Sequence, residues 1–396
     1  MIEIPSEALK AAGRLLKRLR AKQCTLPVLG HVLVESDPDR GVRLTTCNLD
    51  QWLQTRIPTD QPSDTAESPE SLLVPAEALN AALKADKNTV VAFARRGPKS
   101  DRRVRLTLTR GGLTVQTDHP TLETDEFPAC PRVPEGVGAT PVPGRTFEMI
   151  AEIAGCASKD PSRHVLNGVL LTPEDGGRVV ATDGRRLAAA PASVPDARLV
   201  IPTAAVRVLG HPDFHQGVVH ITAFRLRVPK SDNPSSSTDE TAAKSPDHLR
   251  IEAGDHVLVS RLIDGLYPNW QQVVPADRVA SASFDESHRA AVIDWLRARG
   301  KSGCEAGVEI RPGKRRHLEL SHGHGTSGAS RIEVPAEITG RPQPVALGAA
   351  YLADALKIAP TLWFVDEMSP VVARRLDGTL CVVMPMRFGS SDRAAA

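Results

Sequence analysis

Ile2 to Lys22 reads IEIPSEALKAAGRLLKRLRAK, an apolar tetrad that runs through a proline into an amphipathic helix, and the rest of the chain varies this theme. Pro5 suits the first turn of a helix, where a missing N–H would go unpaired anyway, and Ser6 can offer a side-chain oxygen to the free donors. A helix is therefore predicted from Ser6 onward. Leu9, Ala12, Leu16 and Leu19 recur at three- and four-residue intervals and form one apolar stripe. Lys10, Arg14 and Lys17 recur in the same way on another face, which Arg18, Arg20 and Lys22 widen. One side of this helix is made for a core and the other is strongly cationic.

The same signature returns as LLVPAEALNAAL at Leu72–Leu83 and LVIPTAAVRVL at Leu199–Leu209, with looser versions from Val142 (VPGRTFEMIAEI), Phe284 (FDESHRAAVIDWL) and Val345 (VALGAAYLADAL). Starts separated by roughly 60 to 80 residues point to related half-domains. Strand-length alternating segments follow the first start at His31–Glu35, Val42–Cys47 and Trp52–Ile57, and the second at Val90–Arg95, Val104–Thr109 and Leu113–Thr117. Each half thus reads βαβββ, and the fold class is α+β. Pairing the halves gives a first domain at 1–128 and a proline-rich linker at 129–143. A central domain follows at 144–275, a third at 276–388, and a small-residue tail at 389–396. The central domain has a helix at Thr146–Cys156 and strands at Val165–Leu171 and Arg178–Ala181. It is interrupted by a polar insertion at 230–248 (KSDNPSSSTDETAAKSPDH), which cannot form a core. The third has a helix at Ala290–Arg299 and strands at Val308–Ile310 and His317–Leu320.

A chain of 396 residues exceeds one ordinary core. With 49 basic against 47 acidic residues, any surface for nucleic acid must be local. Aromatic residues make up 4%, too few for a platform that stacks single strands. Six scattered cysteines without a C-x-x-C pair fit a reducing compartment rather than a disulfide scaffold or a zinc site. No basic-then-apolar leader and no long apolar run is present, so a soluble, cytoplasmic protein is expected. His317, His322 and His324 lack the companion spacing of a metal site. Asp183, in ATDGRR, follows an apolar strand and precedes a glycine, the setting of a turn. No nucleotide or hydrolase motif appears, and neither an active site nor a cofactor is expected.

Seven ordered stretches resemble the bacterial DNA polymerase III β sliding clamp family. They are Thr25–Glu35 (TLPVLGHVLVE), Arg163–Leu171 (RHVLNGVLL), Ala181–Ala188 (ATDGRRLA), Ser260–Pro275 (SRLIDGLYPNWQQVVP), Tyr351–Leu356 (YLADAL), Ser369–Val372 (SPVV) and Val382–Arg387 (VVMPMR). The resemblance implies the DNA-clamp fold, three domains of two βαβββ halves each, assembled as a head-to-tail homodimeric, pseudo-sixfold ring around duplex DNA. It implies a processivity factor and no catalysis. The implied partners are double-stranded DNA read without sequence, a second copy of the chain, the DNA polymerase III alpha subunit, a clamp loader ATPase, and other polymerases and repair proteins with clamp-binding motifs.

Carried over by position, the family's peptide pocket comprises Leu166, Thr182, Gly184, Arg185, Arg186, Leu187, Pro268, Val273, Tyr351, Met368, Val382, Met384, Pro385, Met386 and Arg387. Met and Leu suit an adaptable apolar cleft and Arg a polar rim. The DNA-facing set is Lys10, Arg14, Lys17, Arg18, Arg20, Lys22, Lys159, Arg163 and Arg207, with Lys84, Arg289 and Arg297 behind them; such groups meet phosphates without reading bases. The sequence departs from familiar members at Gln272, Gly348 and Arg185, where an Arg, an Asn and a His stand, and it continues past Arg387 with a tail expected near the pocket mouth. Leu113 and Val115, with Trp295 and Leu296, are the expected subunit contacts. Two alternatives stay open: a clamp paralogue outside replication, and a DNA-acting enzyme using Asp183 and the Ser321–Gly328 loop.

Overall fold

In the computed structural model, which describes residues 1–19, 26–37, 41–58, 70–98, 100–226, 245–299, 307–313, 316–322 and 330–386, every start becomes a strand, a helix and three further strands. The first runs β1 (Ile2–Pro5), α1 (Ser6–Leu19), β2 (His31–Asp37), β3 (Gly41–Cys47) and β4 (Gln51–Ile57). The second runs β5 (Glu70–Pro75), α2 (Ala76–Ala82), β6 (Val90–Arg96), β7 (Arg103–Arg110) and β8 (Leu113–Pro120). The third runs β9 (Thr140–Pro143), α3 (Arg145–Ile153), β10 (Gly168–Thr172), β11 (Arg178–Thr182) and β12 (Arg186–Pro191). The fourth runs β13 (Leu199–Pro202), α4 (Thr203–Leu209), β14 (Val218–Phe224), β15 (His248–Ala253) and β16 (His256–Arg261). The fifth runs β17 (Ala280–Ser283), α5 (Glu286–Arg299), β18 (Gly307–Pro312), β19 (His317–His322) and β20 (Ser330–Pro335), with a short β21 (Glu337–Thr339) after it. The sixth runs β22 (Val345–Gly348), α6 (Ala349–Ile358), β23 (Thr361–Phe364), β24 (Val371–Arg374) and β25 (Leu380–Val383).

The first strand of each repeat does not pair within its own repeat. β1 joins β6, β7 and β8, while β5 joins β2, β3 and β4. The same exchange puts β9 on β14 and β13 on β10, then β17 on β23 and β22 on β18. Neighbouring repeats therefore interlock by trading an edge strand. The proline that ends β1, β5, β9 and β13 lets each traded strand stop and turn into its helix.

The chain divides into two compact units. Unit 1 holds residues 1–148 and 204–262, with the eight-stranded sheet β5-β2-β3-β4-β16-β15-β14-β9 and the four-stranded sheet β1-β6-β7-β8. The stripe of α1 packs on β3 and β4, and Leu9, Ala12, Leu16 and Leu19 are all buried, joined by Leu15. Ser6 acts differently from the expectation: its hydroxyl donates to Asp86 O (2.9 Å) and its N–H to Thr89 O (3.0 Å). The helix start is thereby tied to the turn before β6, the strand that β1 joins. Gly13 permits a close approach in the same unit, because a Cβ there would fall 2.4 Å from Leu83 Cδ2.

Unit 2 holds residues 149–203 and 263–396, with the nine-stranded sheet β13-β10-β11-β12-β25-β24-β23-β17-β21 and the four-stranded sheet β20-β19-β18-β22. Helices α5 and α6 pack on each other, and α6 also covers β24 and β25. The predicted strand Val165–Leu171 starts late. His164–Leu166 forms a 3-10 turn closed by Leu166 N–H on Arg163 O (2.9 Å), and the strand begins at Gly168, where a Cβ would meet Ile201 O at 2.6 Å.

One glycine in unit 1 yields a direct test of packing. Gly144 donates its N–H to Gly217 O (2.9 Å), and a Cβ there would lie 2.4 Å from His215 C and 2.6 Å from Gln216 N, both backbone atoms that cannot swing aside. Gly144→Ala is expected to lower stability by about 2–3 kcal/mol, read as a shift in urea midpoint. Gly138→Ala, with open space around its Cβ, is the control and leaves the midpoint in place.

Candidate functional site

The turn that joins β11 to β12 in unit 2 is built on its own side chains. Thr182 Oγ1 donates to Arg186 O (2.7 Å) and accepts the Gly184 N–H (3.1 Å), while the Asp183 carboxylate accepts the N–H groups of Arg185 (2.9 Å) and Arg186 (3.0 Å). Gly184 sits at φ 82°, a left-handed backbone that favours glycine. Asp183 is thus spent on the turn, as the ATDGRR stretch reads.

From this turn β12 pairs with β25 so that Leu187 stands opposite Val382, and both enter one apolar cluster with Leu170, Val180, Val372, Tyr267 and Trp270. Leu166 packs against that cluster. Arg186 closes its polar side: its side chain is 11% exposed, donates to Gly155 O (2.7 Å), pairs with Asp183 (3.3 Å) and Asp354, and lies 4.9 Å from the centroid of the Tyr351 ring. Burial pushes the Tyr267 phenol upward, keeping it neutral. The segment after β25 is tied down by Met384 N–H on Arg185 O (3.0 Å), a bridge between Leu347 and Pro385, and Met386 N–H on Ala346 O (2.8 Å).

Met384 and Met368 are exposed, as are Pro268 and Val273, whereas Pro385 and Met386 are half-buried. Met368 sits in a turn whose Asp366 carboxylate accepts its N–H (2.8 Å) and that of Ser369 (2.7 Å), which holds Asp366 below the usual carboxylate range. The result is a buried apolar cluster with the Arg186 guanidinium on its polar side and exposed methionine and proline side chains in the segments that flank it in sequence, residue types that suit an extended peptide with apolar side chains. Arg387 and the tail fall outside the described residues. Gly348, one of the departures, precedes α6 at φ −66° with no side-chain cap, so the helix start forgoes the cap an Asn could supply. Tyr267, Trp270 and Asp354 were not among the expected site residues; the aromatic pair in SRLIDGLYPNWQQVVP was the available signal.

The basic groups divide between the units. In unit 1, Arg14 and Lys17 are exposed on α1 and Lys10 is half-buried, and among the described residues none of them has a carboxylate partner. Arg18 donates to Arg207 O (2.9 Å), which joins α1 to α4, and Arg207 and Lys84 are exposed. Burial lowers the pKa of His211 beside this join, and Arg18 and Arg14 add to the effect against Asp213. Arg20 and Lys22 fall outside the described residues. In unit 2, Lys159 is exposed, while Arg163 donates to Asp183 O (2.6 Å) at the turn described above. Arg289 and Arg297 are paired along α5 with Glu286 (2.5 Å) and Asp294 (3.8 Å).

Leu113 and Val115 lie on β8, an edge strand, with 78% and 58% of their surface exposed, and β20 is an edge strand of unit 2. Leu296 is fully buried and belongs to the core, contrary to the expected subunit contact. It recurs with Val292 at helical spacing, and both are at 0% exposure. Trp295 is covered by the Arg299 guanidinium at 3.9 Å. Among the described residues no group of three metal-capable side chains comes together, and no helix is long and apolar enough to cross a membrane. His317 and His322 are on β19, and His324 lies outside the described residues.

No model of a known protein family matches the chain. Its sequence is 26% identical over 397 residues to the beta sliding clamp of Synechocystis, covering 94% of this chain and 96% of that relative. It is 25% identical over 394 residues to the beta sliding clamp of Caulobacter vibrioides, covering 96% and 97%. The fold matches the crystal structure of the sliding clamp, DNA polymerase III subunit beta, of Pseudomonas aeruginosa with a TM-score of 0.79 at 21% identity, over 98% of this chain and 99% of that one. It matches the DNA polymerase III beta subunit of Thermotoga maritima with a TM-score of 0.77 at 19% identity, over 98% and 99%.

Proposed function

We propose that this chain, a relative of the bacterial beta sliding clamps along nearly its whole length, is a sliding clamp: a non-catalytic ring that encircles duplex DNA and tethers replication proteins to it. The observation that carries the reading is the extent of the likeness, 94% of this chain and 96% of a curated relative, which takes in all six repeats. The interlocked pairs of repeats correspond to three domains at 1–128, 144–275 and 276–388. The ring closes head to tail between two copies, with β8 of one chain completing its ladder against β20 of the other, which removes two open sheet edges per junction.

Duplex DNA is held through phosphates by Arg14, Lys17 and Arg207 with Lys10, Arg18 and Lys159 around them, so binding follows the backbone and ignores sequence. The cleft beside Leu187, Val382, Tyr351 and Met384 takes short motifs of the polymerase alpha subunit, the clamp loader and repair proteins. Threading turns each capture into an intramolecular event, and high local concentration replaces high affinity. Asp183 is committed to its turn through the two N–H groups it accepts, which does not favour its use in a DNA-acting enzyme, and most of the Ser321–Gly328 loop lies outside the described residues.

Retention on DNA is the decisive experiment. The protein is loaded onto a nicked circle by an active clamp loader with ATP, separated from free protein, and the circle is then linearised. Co-elution with the circle and loss from the linear form is the expected result. Equal retention on both forms replaces the topological mechanism with ordinary binding.

A further inference from the structure

Unit 1 contains a cavity of about 470 Å³ that lies under the segment between Phe127 and Val133 and is lined by none of the residues assigned above to DNA or to the peptide cleft. Its floor is one face of the eight-stranded sheet, where the register sets Glu35 opposite Arg43 and Leu33 opposite Thr45. Its roof is pinned by Trp52, whose indole N–H donates to Pro128 O (3.0 Å), and by the buried Phe127. Pro128 and Pro131 have no N–H to add to a ladder, so the roof crosses the sheet without joining it and the space beneath stays open.

The walls combine apolar surface with guanidinium groups. Arg43 is held by Glu35 through paired bonds of 3.0 and 3.1 Å, and Arg250 by Glu252 at 2.5 Å. Arg132 is exposed at the rim and has no carboxylate partner among the described residues. Both Arg250 and Arg43 bear on the Cys130 thiol in the roof, which burial nonetheless raises to about 11. Of the three guanidinium groups lining the cavity, Arg43 and Arg250 are thus held by Glu35 and Glu252, which leaves Arg132 to meet a ligand. The volume falls within the usual range of ligand pockets, about 300–1,000 Å³.

We propose that this cavity is a second docking site, for a short acidic peptide segment of a partner protein. A carboxylate of the segment meets Arg132, and an apolar side chain enters beside Leu33 and Val133. Arg132 selects an anionic partner, and the apolar roof of Phe127, Pro128, Ala129, Pro131 and Val133, with Leu33 beneath it, selects a peptide over a phosphate backbone, which has no apolar group to offer. A segment bound here would add to capture at the cleft in unit 2, since two weak contacts on one partner multiply.

The test uses the full chain and a fluorescein-labelled peptide of alternating aspartate and leucine, read by anisotropy. Arg132→Glu is expected to weaken binding about tenfold, Arg132→Lys to retain it, and Arg186→Ala in the other unit to leave it unchanged. Bound peptide is also expected to slow alkylation of Cys130 by N-ethylmaleimide, read by mass spectrometry. The proposal is overturned if the probe does not bind, if Arg132→Glu binds it equally with Cys130 unprotected, or if Arg186→Ala alone removes binding. Equal protection of Cys130 by duplex DNA would likewise overturn it.

Discussion

Replacing Arg186 by alanine lowers stability by about 2–3 kcal/mol and weakens capture of a polymerase-derived clamp-binding peptide about a hundredfold. The side chain is 11% exposed and joins four groups from separate stretches of unit 2: Gly155 O, the Asp183 and Asp354 carboxylates, and the Tyr351 ring. Breaking a buried ion pair costs about 3–5 kcal/mol where the partner is left bare. Here Lys357 still pairs with Asp354, and Asp183 still accepts two N–H groups, so neither carboxylate is left bare and the loss falls below that range. Arg186→Lys keeps the charge but lacks the planar fork that serves Gly155 O and Asp354 together, and it restores only part of both quantities. Urea unfolding and peptide anisotropy measure the two effects separately. Unchanged peptide affinity with a lowered midpoint would place peptide capture elsewhere on the molecule.

Neutralising Arg14 and Lys17 together, as Arg14→Gln with Lys17→Gln, flattens the plot of log binding constant for duplex DNA against log salt by about 1.8. Each lost phosphate contact removes about 0.9 from that slope, because its released counterion no longer drives association. Both side chains are exposed on α1, so stability is unchanged. Affinity at moderate salt falls about tenfold. Arg297→Gln on α5 is the comparison: its charge is already met by Asp294 at 3.8 Å, and the slope barely moves. An unaltered slope in the double variant would remove α1 from the DNA-facing surface.

The sequence made the repeats legible because a proline at the end of an apolar tetrad is a local signal, and locality is what pattern reading detects. The start of α1 at Ser6 and its buried stripe followed from eighteen or so consecutive residues. The strand exchange was not legible. An alternating tetrad such as Ile2–Pro5 fits either sheet equally well, and only tertiary contact decides that it pairs with β6. The same reason explains Ser6, whose hydroxyl serves a carbonyl from a distant turn rather than its own helix.

At the cleft, Arg186, Leu187, Val382 and Tyr351 were found through matched blocks, and the structure brings Leu187 and Val382 into one cluster and Arg186 onto Tyr351. Trp270 and Tyr267 stand in one of those blocks too, and it is tertiary contact that brings them into the cluster. Leu296 belongs to the core rather than to a subunit contact, and its helix carries the sign of it: Val292 stands four positions earlier on the same buried face.

Strand exchange also sets a timetable for synthesis. Ile2 finds its ladder partner at Phe93, so the first strand emerges from the ribosome about ninety residues ahead of the strand it needs. At about 5–20 residues per second, this leaves Ile2 and Ile4 without a sheet for roughly ten seconds, and each later pair of repeats incurs its own delay. A synonymous-codon variant that slows translation between β5 and β6 lengthens that wait and lowers the yield of folded protein without altering a single residue.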